Sequence, residues 1–139
     1  MAVYSRSRCR EWALQFLYQA EFSGPWQPEA VERFWSHFQT EGAAPAYLKE
    51  LVAGVASHLD ELDAFIVRFS EHWRLERMTI VDRSLLRLAI YELLYQPQIP
   101  VKVVINEAVE MAKRYGSEAS GAFINGILDQ VRLSVGREV

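Results

Sequence analysis

The chain has 139 residues, 50% of them hydrophobic and 24% charged, with a formal net charge of −3. That composition supports one domain with a substantial core and excludes a dedicated, strongly basic nucleic-acid binder, so any contact with nucleic acid has to come from a local patch. The one cysteine, Cys9, rules out an intrachain disulfide framework and fits a reducing compartment. No apolar run approaches the roughly 18–20 residues that span a bilayer. The segment Met1 to Arg10 is polar and carries arginines, without the apolar centre of a signal peptide, so a cytoplasmic protein with no membrane contact is expected.

Charge is unevenly placed. Arg6, Arg8 and Arg10 precede the first acidic residue, Glu11. Between Glu21 and Asp63 the acidic residues Glu21, Glu29, Glu32, Glu41, Glu50, Asp60, Glu61 and Asp63 face only Arg33 and Lys49.

Hydrophobic periodicity is helical nearly throughout. A first helix is predicted from about Ser7 to Phe22, with Ala13, Phe16, Leu17 and Ala20 as its apolar stripe, ending at Ser23-Gly24-Pro25. A second opens at Pro28 and carries Val31, Phe34, Trp35 and Phe38; Glu41 to Pro45 breaks it. A long stripe follows from Leu48 to Phe69 and reads as one helix or two, with Gly54 not deciding between them. After an irregular stretch from Trp73 to Met78, Thr79-Ile80-Val81-Asp82 has the form of a capping box. The helix it opens carries Val81, Leu85, Leu88, Ala89 and Leu93 and stops before Pro97. Pro100 begins another, ending at Gly116, and the last spans about Ser120 to Ser134 with Phe123, Ile124, Ile127, Leu128 and Val131 inward. Gly126 inside it costs about 1 kcal/mol relative to alanine, a cost that close packing of another backbone would justify. The expected architecture is a compact all-α bundle of six or seven helices.

Catalytic signals are missing. His37, His58 and His72 stand alone, outside zinc-ligand spacing; no HExxH, GxSxG or glycine-rich phosphate loop occurs, and Cys9 has no histidine base beside it in sequence. No enzyme activity, metal or cofactor is expected. Arginines leading into a helix suit phosphate contacts, because guanidinium pairs bidentately with phosphate oxygens and a helix N-terminus favours an anion. A solvated, solubilising terminus has the same composition. Lys113, Arg114 and Tyr115, with Phe123 beyond Gly116, form a second basic and aromatic group of a kind that stacks on unpaired bases. Phe123 fits a core stripe equally well, and Asn125 reads as a hydrogen-bonding residue that closes a turn. Tyr91 and Tyr95 share a helix face with Glu92 and Gln96, which is either an exposed partner face or the rim of the core.

Four segments resemble the NusB family. They are Arg10-Glu11-x-Ala13-x-Gln15-x-Leu17-Tyr18; the run from Val81 to Leu93; Ile99-Pro100 followed by Ile105-Asn106-Glu107-Ala108-Val109-Glu110-Met111-Ala112-Lys113; and Phe123-Ile124-Asn125-Gly126-Ile127-Leu128-Asp129, similar to the family's FxNGxLD motif. Together, in order, they cover nearly the whole chain. The resemblance implies one domain, 1–139, of two packed helical subdomains at about 1–72 and 73–139. It implies processive transcription antitermination: binding of single-stranded boxA RNA of ribosomal-RNA leader transcripts jointly with NusE, a small-subunit ribosomal protein, and entry into an RNA polymerase complex with other Nus factors. Carried over by position, Arg6, Arg8, Arg10, Tyr18, Lys113, Ser120 and Phe123 would face RNA, and Asp82, Tyr91 and Glu92 would lie on the NusE side.

The chain departs from the family pattern in two places. Ser5, Ser7 and Cys9 dilute the arginine tract, and Ala119 and Ala122 stand where relatives often carry an asparagine or aspartate and a lysine. Fewer cations imply fewer phosphate contacts and a shallower salt dependence, so RNA binding is expected to lean on NusE. The same domain resembles the N-terminal part of some rRNA cytosine methyltransferases, but catalysis there needs a nucleotide-binding α/β domain, and the chain ends at Val139 without one. A third reading is a bundle that binds NusE and has lost useful RNA affinity. Some family members form homodimers that hide the RNA face, and the sequence leaves monomer or homodimer open.

Overall fold

The computed structural model describes residues 4–23, 27, 29–38, 42–71 and 74–138. Among them are seven α-helices, one 3₁₀ turn and no strand. The helices are α1 (Arg6–Ala20), α2 (Ala30–Ser36), α3 (Ala46–Ser57), α4 (Leu59–Phe69), α5 (Ile80–Tyr95), α6 (Val101–Tyr115) and α7 (Ser120–Ser134), with the turn Leu75–Arg77 before α5. The all-α expectation holds. The expected breaks at Gly24-Pro25 and Glu41, the start at Pro28, and His72 and Trp73, with the subdomain boundary there, lie outside the described residues.

Local chemistry sets the helix ends. Ser5 caps α1 by accepting from the Arg8 N–H at 3.1 Å, which satisfies one of the free donors of the first turn. Thr79 does the same for α5 through the Asp82 N–H at 3.1 Å. The return half of that capping box is not made by Asp82 Oδ1, which is buried without a partner. The long apolar stripe is two helices, and the break falls at His58 (φ −122°, ψ 20°), not at Gly54. Gly54 stays inside α3 for a different reason: a Cβ there would sit 2.1 Å from the Tyr91 ring, so only glycine lets α5 come this close. Gly126 has no such excuse. It is exposed with nothing near its absent Cβ, so the expectation of close backbone packing there is not met, and Asn125, also exposed in mid-helix, closes no turn.

Helix α5 is the hub. It packs against α1, α3, α4, α6 and α7, and α1 also packs on α3 and α6 on α7. Leu85, Leu86, Leu88, Ile90 and Leu93 are buried on several sides of α5, each worth roughly 1.5–3 kcal/mol against exposure. A helix apolar on most sides belongs in the middle of a bundle. One continuous core runs from Cys9 on α1 to Val131 on α7. At its edge Trp12 and Trp35 meet edge-to-face, with ring centroids 4.7 Å apart, and so fasten α2 to α1.

Candidate RNA-binding face and the buried polar anchor

The three N-terminal arginines sit close together on α1 but go to different places. Arg6 and Arg8 are exposed, their guanidinium carbons 5.4 Å from the Tyr47 ring centroid and 4.9 Å from that of Trp12. Such cation–π contacts hold a long side chain in place while leaving its N–H groups free to donate. Arg10 is only 3% exposed. Its Nε and Nη2 donate to both carboxylate oxygens of Glu92 on α5 at 2.8–3.1 Å, and its Nη1 donates to Glu107 on α6 at 3.2 Å. The Tyr47 hydroxyl donates to the same Glu92, and the Ser7 hydroxyl to Glu107.

This is a closed polar cluster joining α1, α5 and α6 with a residue of α3. Burial works against the charged guanidinium, but the bonds and charge of Glu92 outweigh it and raise the Arg10 pKa. Burial and the neighbouring carboxylate push the Tyr47 phenol well above its ordinary value. Arg10, expected at the RNA face, is therefore a buried structural anchor: each of its three guanidinium nitrogens donates to a carboxylate of the chain.

Four further residues expected at the surface are buried. Ser120, expected to face RNA, is buried; its Oγ accepts the Ser117 N–H at 2.9 Å and ties the short α6–α7 connection. Tyr91 and Glu92, expected to face the partner, are buried because α5 has neighbours on most sides. Tyr91 lies against Gly54 and accepts from Gln96 Nε2 at 3.3 Å. Asp82, the third partner-side residue, is also buried, at the first turn of α5. Phe123 is half-buried and packs against the core, and Lys113 is exposed on α6, 3.5 Å from Glu110.

What remains at the surface converges. Arg8, Trp12, Gln15 and Tyr18 follow one another down the outer face of α1 and line a cleft of about 580 Å³ together with Glu11 and, from α6, Tyr115. Tyr18 is 42% exposed and its ring is 5.3 Å from that of Phe22. Arg114 crosses from α6 to donate to Glu11 at 3.1 Å, and the Tyr115 hydroxyl and the Glu11 carboxylate together raise the Arg114 pKa. Flat aromatic walls with cations on the rim suit an unstacked base and its phosphates. Arg8 and Tyr18 are legible as surface candidates in the sequence, whereas Trp12, Gln15 and Glu11 are not among those candidates. The i, i+4, i+7 spacing of Arg8, Trp12 and Gln15, and of Glu11, Gln15 and Tyr18, was the available signal. Nothing local announces that Arg114 and Tyr115 meet Glu11 across more than a hundred residues.

No helix among the described residues is long and apolar enough to cross a membrane, and none of their His, Cys, Asp and Glu side chains form a group placed to hold a metal ion.

Fold and surface define an all-helical bundle, built round a central helix, with a cationic and aromatic face on its first helix. The model of the NusB family matches residues 7–132, and the chain belongs to that family. It is 47% identical over 133 residues to the transcription antitermination protein NusB of Sorangium cellulosum, covering 96% of this chain and 95% of that one. Among solved structures it is similar to T. maritima NusB, with a TM-score of 0.82 and 38% identity over 94% of this chain and 92% of the other. A structure of the antitermination factors NusB and NusE in complex with double-stranded RNA matches with a TM-score of 0.78 and 27% identity, over 93% of this chain and 96% of that one.

Proposed function

We propose that the chain is a non-catalytic, cytoplasmic transcription antitermination factor that binds boxA RNA of ribosomal-RNA leaders together with NusE and joins the RNA polymerase complex with other Nus factors. The observation that carries this reading is the match to NusB proteins along nearly the full length of both chains. The surface supports it: Arg8 and Tyr18 are exposed on the outer face of α1, Arg6 is exposed over the Tyr47 ring, and Lys113 is exposed on α6. On the NusE side the start of α5 is the proposed centre on the likeness of Val81 to Leu93 to the family alone, since Asp82 itself is buried. The division into two subdomains near 72–73 is part of the same proposal: α5, α6 and α7 pack on one another, and α5 also packs on α1, α3 and α4 of the first half.

A second reading, a NusE-binding bundle with little RNA affinity, is favoured by one observation. Of the exposed cations Arg6, Arg8, Lys113 and Arg114, Lys113 is paired with Glu110 and Arg114 with Glu11, which leaves Arg6 and Arg8 free of acidic partners. A gel shift of boxA RNA, with and without NusE at fixed salt, separates the two. The antitermination reading expects a ternary complex with NusE and a weaker shift or none without it. Binding of NusE with no RNA shift in either case would leave only the second reading.

A further inference from the structure

The last turn of α6 meets the second turn of α1 at a single carboxylate. Arg114 Nη1 donates to Glu11 Oε1 at 3.1 Å, and the Tyr115 hydroxyl donates to Glu11 Oε2 at 2.7 Å. Both carboxylate oxygens are thus taken by two donors side by side, while the guanidinium stays 55% exposed and lies 5.8 Å from the Tyr115 ring centroid. A phosphodiester presents the same chemistry, two anionic oxygens on one atom, to the same pair of donors. Glu11 and Tyr115 both line the cleft that Arg8, Trp12 and Tyr18 line.

We propose that Arg114 and Tyr115 form a phosphate-binding fork for single-stranded RNA, and that Glu11 is an internal anion that fills the fork until a phosphate displaces it. This rests on the RNA-binding reading above. The exchange is feasible because the Arg114–Glu11 pair is solvent-exposed, and exposed pairs are held weakly. It also makes the site discriminating. A strand that reaches the cleft with its phosphate in register replaces one anion by another, whereas a phosphate out of register meets the Glu11 charge. The exchange also flattens the salt dependence of this contact, because salt weakens the Arg114–Glu11 pair that must open as well as the phosphate contact that replaces it.

Glu11→Gln keeps the size of the side chain and an acceptor for Tyr115 but removes the competing charge. Anisotropy titrations of a fluorescein-labelled boxA RNA, with NusE at a fixed saturating concentration and several salt concentrations, test the proposal. Glu11→Gln is expected to bind about two- to fivefold tighter, the range an exposed charge pair spans. Its log–log salt slope is expected to steepen by about 0.7, one added contact to single-stranded nucleic acid. Arg114→Gln placed on top of Glu11→Gln should cancel both changes. Unchanged or weaker binding by Glu11→Gln would overturn the proposal, as would a gain that survives in the double variant, because general charge and not the fork would then be responsible. If the wild-type chain with NusE fails to bind the RNA at all, the functional reading falls and the fork falls with it. Wild-type binding that Glu11→Gln leaves unaltered overturns the fork alone.

Discussion

Arg8 and Arg10 stand two residues apart on nearly opposite faces of α1 and end in different media. Arg8 lies in water across the Trp12 ring, with no acidic partner. Arg10 is sealed between α1, α5 and α6, bonded to Glu92 and Glu107. In water a guanidinium loses little by changing partners, so it is available to a phosphate. In the interior its desolvation is offset only by fixed partners, and it serves to hold α1 against α5. The same residue type thus does two jobs, and its surroundings decide which. The comparison also explains how a chain with net charge −3 presents a cationic face: the free cations are few, and the buried polar anchor fixes the helix that carries them.

The contrast can be broken most forcefully at Glu92. Replacing it by alanine leaves Arg10 buried without its main counter-charge, and the expected loss is about 3–5 kcal/mol of unfolding free energy by urea denaturation. A loss under about 1 kcal/mol would mean that the anchor is not the structural element described here.

A smaller effect is expected at Tyr47, whose hydroxyl donates to the same carboxylate. Tyr47→Phe should cost roughly 1.5–3 kcal/mol, the worth of a hydrogen bond to a charged group. It should also change the pH dependence. The folded-state pKa of Tyr47 is raised, first by burial and then by Glu92, so above the unfolded value of about 10 the unfolded chain gives up its proton first. The stabilisation is therefore fully present below about pH 10 and is lost as pH rises beyond it. Between about pH 9 and 11 the urea midpoint of the wild type should fall more steeply than that of Tyr47→Phe, and parallel curves would contradict the assignment.

Much of this was legible in the sequence, and the reasons differ by element. Helix existence followed from apolar spacing, and the caps at Ser5 and Thr79 obey ordinary N-cap chemistry. The role of Arg10 was readable too. It stands three, four and seven residues before Ala13, Leu14 and Leu17, all buried, so it lies on the apolar stripe, and Glu92 stands likewise in line with Leu85, Leu88 and Ala89. Opposite charges on two inward stripes indicate a buried pair, a signal hidden when the three arginines are counted as one tract. The break at His58 was less legible, because the apolar pattern continues through it. Gly54 drew attention as a possible break, whereas its real function is to admit Tyr91. The meeting of Glu11 with Arg114 and Tyr115 depends on how α6 lies over α1, which no local pattern encodes.

The most direct test of the account sets Arg8→Gln beside Arg10→Gln, measuring urea stability and boxA affinity with NusE for each. Arg8→Gln should leave stability within about 0.5 kcal/mol of wild type, as exposed substitutions do, while weakening RNA binding and flattening its salt dependence. Arg10→Gln should lose several kcal/mol of stability, about 3–5, by stranding Glu92. An Arg8→Gln variant that binds RNA as tightly as wild type, or an Arg10→Gln variant as stable as wild type, would contradict the division of labour on α1.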